Sequence, residues 1–159
     1  MRAVRYWSTS HSAAMERIYG AVEWVMVKLD PVWRAIGYER VEKPMAALEK
    51  GVKGFLFDCK MCGQCALSNT GMSCPMNCPK TLRNGPCGGV RSNGHCEVDA
   101  DMRCVWVEAA RGARNMHSHE LIEVVQLPVD SRLKGRSSWL QVARTKAEEI
   151  RNLSGGAPL

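Results

Sequence analysis

The residues best able to do chemistry in this 159-residue chain are its eight cysteines, five of them inside DCKMCGQCALSNTGMSCPMNCPK at 58–80. The spacing runs Cys59-x2-Cys62-x2-Cys65, then Cys74-x3-Cys78-Pro79, then Cys87, Cys96 and Cys104. A tetrahedral zinc site takes two ligands from one Cys-x2-Cys turn and two from a second such element, so a third cysteine two residues on has no obvious place. A cubane offers several iron corners to one loop. Cys-x2-Cys-x2-Cys, with a later cysteine followed by proline, is the spacing of the bacterial ferredoxin run, although the gap from Cys65 to Cys78 is wider here.

The spacing therefore favours iron–sulfur over zinc. Eight thiols supply two [4Fe-4S] clusters without remainder, and they would also supply two zinc sites. Cys59, Cys62 and Cys65 are expected to share one cluster, and most of Cys74, Cys78, Cys87, Cys96 and Cys104 the other. One of those five must cross to complete the first set, and the spacing does not say which. Covalent haem is excluded at Cys62–Cys65, because Ala66 follows where a histidine is needed.

Glycines 63, 85, 88 and 89 would let bare backbone approach a cluster and donate N–H groups to its sulfurs, or they are ordinary turn glycines. His117 and His119 could chelate from one face of a strand, but read more simply as solvated surface. His95, beside Cys96, could replace a thiolate but is not needed. Acidic pairs such as Asp99 and Asp101, or Glu148 and Glu149, read as solvated faces. There is no phosphate-cradling loop of Walker type and no G-x-G-x-x-G fingerprint. No residue is assigned a catalytic or organic-cofactor-binding role.

The bulk properties narrow the setting. The length suits one domain and falls short of the roughly 250 residues of a (β/α)8 barrel. No apolar run approaches the ~18 residues of a membrane span, and the opening MRAVRYWSTS lacks a signal-peptide core, so the expected address is the cytoplasm, without membrane. In that compartment eight cysteines point to metal or redox chemistry rather than disulfides. A formal charge of +6 would suggest nucleic acid, as for a basic zinc ribbon. Two oxidised clusters with their thiolates would bring that charge down to about +2. The chain also lacks aromatic residues interleaved with its lysines and arginines, so nucleic acid is disfavoured.

The elements that must position the thiols divide the chain in three: an N-terminal helical segment at 1–50, a cysteine-rich metal-cluster module at 51–107, and a C-terminal arm and helix at 108–159. Met15, Ile18, Val22, Val25 and Leu29 form an apolar helical stripe, with Ser12 as a candidate N-cap and Glu16 in the first turn. Asp30-Pro31 opens a second helix that stops near Gly37. Pro44 opens a third, ended by Gly51. Trp24 and Trp33 are expected to fill the core. Asn93-Gly94 predicts the turn of a small hairpin from about Gly89 to Val98. VEAARGARNM reads as a helix, LPVDSRLKGRSSWL as an extended arm, and residues 139–153 as a terminal helix before a flexible SGGAPL. The expected fold is mainly α, with a loop-rich cysteine module and few strands. An exposed Trp139 beside Arg132 and Arg136 would make the arm from Leu127 to Leu140 a docking element for a partner.

With these residues in hand, the chain resembles the cysteine-rich partner of methylenetetrahydrofolate reductase, found fused after the reductase barrel or as a separate small subunit. The resemblance lies in FDCKMCGQCAL at 57–67, CPMNCPKTLRNGPCGG at 74–89, GHCEV at 94–98 and CVW at 104–106, and it extends through the arm to Leu140. It implies an electron-transfer subunit that is not itself catalytic. Two iron–sulfur clusters held by all eight cysteines would relay electrons between a ferredoxin or other donor and the FMN or FAD of a separate flavoprotein barrel, which reduces a folate-bound methylene group to methyl. Some relatives are described as zinc-binding, so a zinc-stabilised structural or regulatory subunit of the same reductase is the alternative.

Overall fold

The computed structural model describes residues 2–155. Among the described residues the chain forms six α-helices: α1 (Arg2–Ser10), α2 (Ser12–Lys28), α3 (Asp30–Ile36), α4 (Tyr38–Phe57), α5 (Val105–Ala113) and α6 (Ser138–Gly155). Between α4 and α5 the chain is loop, broken only by 3-10 turns at Leu67–Asn69 and Pro75–Asn77. The last four residues of the expected flexible tail lie outside the described residues.

The mainly α class is as expected, and the helices do not segregate by sequence order. Helix α6 returns to pack on α2, α3 and α4, while α1 packs on α4 and α5. One apolar patch joins Met26 to Leu140 and Ala143, flanked by Trp33, Tyr38 and Trp139. A second joins Met15, Phe57, Leu67, Met72, Cys74 and Met116, flanked by Tyr19 and Cys65. This second patch is the seam between the helices and the cysteine loop.

The buried face of α2 differs from the hydropathy stripe. Ile18 and Val25 are exposed, Met15 and Met26 are buried, and Tyr19 and Val22 pack between them. Ser12 does not cap the helix: it lies inside the first turn and donates from Oγ to the Gly112 carbonyl at 2.7 Å. Both faces have helical spacing, so pattern alone cannot choose. The face chosen is the one whose hydroxyls find partners when buried. Glu16 is used across the fold, accepting from the backbone N–H groups of His117 and Ser118 at 2.7 and 3.0 Å. Trp33 fills the core as expected and donates to the Met26 carbonyl. Trp24 does not: it is 63% exposed, with the Lys28 ammonium 5.7 Å from its ring centroid.

Helix α3 starts and stops where its proline and Gly37 place it. Helix α4 overrides its apparent breakers, running from Tyr38 through Pro44, Gly51 and Gly54 to Phe57. Pro44 is exposed, where a carbonyl that lacks a partner can be hydrated. Each glycine costs about 1 kcal/mol relative to alanine, which packing against α1 and α6 outweighs. The helix stops at Asp58, in the left-handed conformation at φ 52°.

The expected hairpin is reduced and shifted. Its turn forms, with Gly94 N–H donating to the Arg91 carbonyl at 2.8 Å. The pairing that follows is a single antiparallel bridge between His95 and Arg103, flanked by Cys96 N–H to Met102 O and Cys104 N–H to Gly94 O. Pairing forward with 102–104 sets Cys96 and Cys104 on adjacent backbone, which the Asn-Gly signal alone could not indicate.

Candidate metal centre

The loop that follows α4 curls because three of its residues take positive φ: Asp58 at 52°, Met61 at 49° and Gly63 at 78°. Two of these are not glycine, so the curl is held by its surroundings. The curl turns Cys59, Cys62 and Cys65 toward one cavity, and the two 3-10 turns fold the chain back so that Cys74 lines the same cavity. Of the five later cysteines, Cys74 is the one that lines this cavity with the first three.

Burial, together with the other thiols, controls the acidity of this set. Burial pushes the Cys74 thiol up to about 12, and Cys59, Cys65 and Cys62 push in the same direction. Burial likewise pushes Cys59 up to about 11, with Cys65 and Cys62 adding to it. Cys59 and Cys74, whose ionisation burial and the neighbouring thiols oppose, are donors whose deprotonation a bound cation or cationic cluster core would favour. Among the described residues no three His, Cys, Asp or Glu side chains converge on the point a single ion would occupy; the four thiols share the lining of one small cavity.

Three cations, Lys53, Arg83 and Arg136, and one carboxylate, Glu49, line the same cavity. Arg83 holds the turn by donating to the Gln64 carbonyl at 3.2 Å, with its other nitrogen 3.9 Å from Cys62 Sγ. Lys53 and Glu49 are each 1% exposed and form an ion pair at 2.6 Å. Burial pulls the Lys53 ammonium down, but Cys65 and Glu49 outweigh it, and its acidity is held below the ordinary lysine level. Tyr19 donates from its hydroxyl to Cys65 Sγ at 2.9 Å, and burial followed by Cys65 raises its phenol far above the usual range. Hydropathy gave no sign of Tyr19 or Lys53 as site residues, and only the Glu49-x3-Lys53 spacing marked a helical ion pair.

The arm does not project toward solvent. Gly135 N–H donates to the Met61 carbonyl at 2.8 Å and Asp130 N–H to Gln64 Oε1 at 2.7 Å; Asn84 and Gln126 exchange two further bonds. The segment straps the cysteine loop. Trp139 is half-buried against the chain's own helices, and its backbone N–H donates to Glu49 Oε2. That corrects the expectation of an exposed anchor. Arg132 is tied to Asp130, and Arg136 to Glu39 and Glu42.

The remaining four cysteines lie beyond this cavity. Cys78 packs on Cys96, Met102 and Val105, while Cys104 packs with Trp106 and Ala109. Cys87 is exposed, its Sγ 3.3 Å from Glu97 Oε1. Glu97 also pairs with Lys80 and fills the space a Cβ on Gly89 would need. Gly85 and Gly88 have positive φ and open space around them, as turn glycines do. His95 directs Nδ1 to the Ala100 carbonyl at 2.6 Å, and His117 and His119 are exposed.

The fold and this arrangement define a mainly helical protein built around a cysteine-rich loop, with four thiols gathered among cations at the seam. The family model described as methylene-tetrahydrofolate reductase C terminal matches residues 38–132, and the chain belongs to that family. The matched span holds all eight cysteines and the first part of the strap, to Arg132. No curated protein and no solved structure matches the chain. No helix among the described residues is long and apolar enough to cross a membrane.

Proposed function

We propose that this chain is the iron–sulfur electron-transfer subunit of a methylenetetrahydrofolate-reductase-like complex, working between a one-electron donor of the ferredoxin class and the flavin of a barrel-shaped partner chain. The observation that carries the reading is the meeting of Cys59, Cys62, Cys65 and Cys74 around one cationic cavity, inside the span matched by the reductase family. Four thiolates are the ligand set of one cubane. Cys78, Cys87, Cys96 and Cys104 would hold a second.

A [4Fe-4S] cluster bound there supplies one-electron storage, and reducing a methylene group to methyl takes two such electrons and two protons from water. The chain's own residues hold the thiolates, exclude water with Met72, Leu67 and Phe57, and offset the anionic charge with Lys53, Arg83 and Arg136. The flavin and folate belong to the partner.

Anaerobic purification with native pull-down tests this. The expected product is brown, carries about eight irons per chain and brings a flavoprotein with it. A colourless protein with two zincs overturns the relay and supports the zinc-stabilised subunit instead.

A further inference from the structure

The four thiols suffice as ligands, yet the cavity they line also contains a buried ion pair that ligation does not need. Lys53 Nζ donates to Glu49 Oε1 at 2.6 Å and to Ser138 Oγ at 2.8 Å, and lies 5.1 Å from the ring centroids of both Tyr19 and Trp139. Glu49 is occupied on both oxygens: Ser138 Oγ and Lys53 donate to Oε1, Ser137 Oγ and the Trp139 backbone N–H to Oε2. Replacing a buried ion pair by apolar side chains of similar volume is often neutral or stabilising, so the charge pair itself is no guarantee of stability. What distinguishes the ion pair is a fixed positive charge aimed at the thiols, with the Tyr19 hydroxyl donating directly to Cys65 Sγ.

We propose that Lys53 and Tyr19 set the reduction potential of the group held by Cys59, Cys62, Cys65 and Cys74, holding it more positive than the thiols alone would. Taking up an electron adds negative charge to such a group. A buried ammonium and a hydrogen bond to a ligand sulfur both stabilise the reduced form more than the oxidised form. The interior amplifies the effect, because the charge is poorly screened at 1% exposure. The carboxylate of Glu49 opposes Lys53 in part, its charge shared among four hydrogen-bond donors. Beside the second cysteine set the ion pair is Lys80–Glu97, which is partly exposed and presents the Glu97 carboxylate to Cys87. The two groups are thereby given different environments.

This rests on the electron-relay reading, and the test separates the two. Redox titration of the anaerobically purified complex, followed by electron paramagnetic resonance, compares wild type with Tyr19→Phe and Lys53→Met. The expected result is that each variant moves one midpoint potential to a more negative value, Lys53→Met further than Tyr19→Phe, while the other potential stays in place. Tyr19→Phe keeps the ring in the core, so it decides the matter alone if Lys53→Met does not fold. Two reducible groups in wild type with neither potential moved in Tyr19→Phe overturn this inference and leave the relay standing. No reducible group in wild type overturns both.

Discussion

Gly63, in the turn between Cys62 and Cys65, lies so close to Leu133 of the strap that a Cβ there would overlap the Leu133 carbonyl oxygen. Its φ of 78° adds the left-handed strain that a side chain brings. Gly63→Ala is therefore expected to lose roughly 2–4 kcal/mol and to lift the strap from the cysteine loop. Hydrogen exchange reads this directly: the Gly135 and Asp130 amides, bonded to Met61 and Gln64, should lose protection. Unchanged protection at both would mean that the strap does not depend on this contact.

The assignment of Cys74 to the first thiol set makes a prediction about metal stoichiometry. Cys74→Ala should remove about one cluster's worth of iron and leave the other set loaded. Cys87→Ala should remove the complementary share. Metal analysis of both single variants and the double checks this. If the two single variants strip the same group, the partition of the eight cysteines is wrong.

The sequence made visible whatever depended on local backbone chemistry. Asp30-Pro31 and Gly37 marked α3 because proline and a positive-φ glycine act where they stand. Helix α4 was hidden behind Pro44, Gly51 and Gly54, since its continuity comes from α1 and α6, far away in sequence. Eight clustered thiols announced the site; the crossing of Cys74 depends on two 3-10 turns with no periodic signature. Tyr19 and Lys53 were illegible for another reason. Their roles come from burial, and a polar residue on an apolar face reads in a sequence as an interruption.

The raised thiols of Cys59 and Cys74 give a pH dependence with a definite sign. Folding that raises a thiol's pKa above its ordinary value near 9.0, to about 11 and about 12, means that the folded state holds these protons more tightly. In the metal-free chain, that stability is present at neutral pH and is lost as pH climbs through this interval. Loading replaces the protons with metal, so the loaded chain should lack this alkaline loss and should instead release metal as pH falls. Denaturant unfolding of both forms under reductant, from neutral pH to about 11, distinguishes them; parallel profiles would contradict the burial argument.

Asp30 gives the opposite sign. It is 2% exposed, with Arg34 at 2.9 Å, Arg151 at 2.7 Å and the Tyr38 hydroxyl at 2.6 Å, so it ties α3 to α4 and α6. Burial pushes its carboxyl up, but Tyr38, Arg34 and Arg151 outweigh this and hold it below the usual carboxylate value. Its contribution is present above that value and lost as pH falls below it. Asp30→Asn should cost about 1–2 kcal/mol at neutral pH, a figure reduced because both arginines are about half exposed. The gap from wild type should close below pH ~4.

The Glu49–Lys53 pair separates stability from function. Removing either partner leaves a buried charge uncompensated, so Glu49→Leu and Lys53→Met should each cost roughly 3–5 kcal/mol. The double replacement removes the uncompensated charge and should recover part of that loss, the remainder being the Glu49 acceptor that Ser137 and Ser138 lose. A double-mutant cycle should still give a favourable coupling energy. A pair kept only for stability would leave the double variant indistinguishable from wild type in every measurement. A pair kept to place a charge beside Cys65 leaves the double variant folded, with its first thiol set loaded and its potential still displaced. Recovery of both stability and potential in the double variant would assign the pair to packing alone.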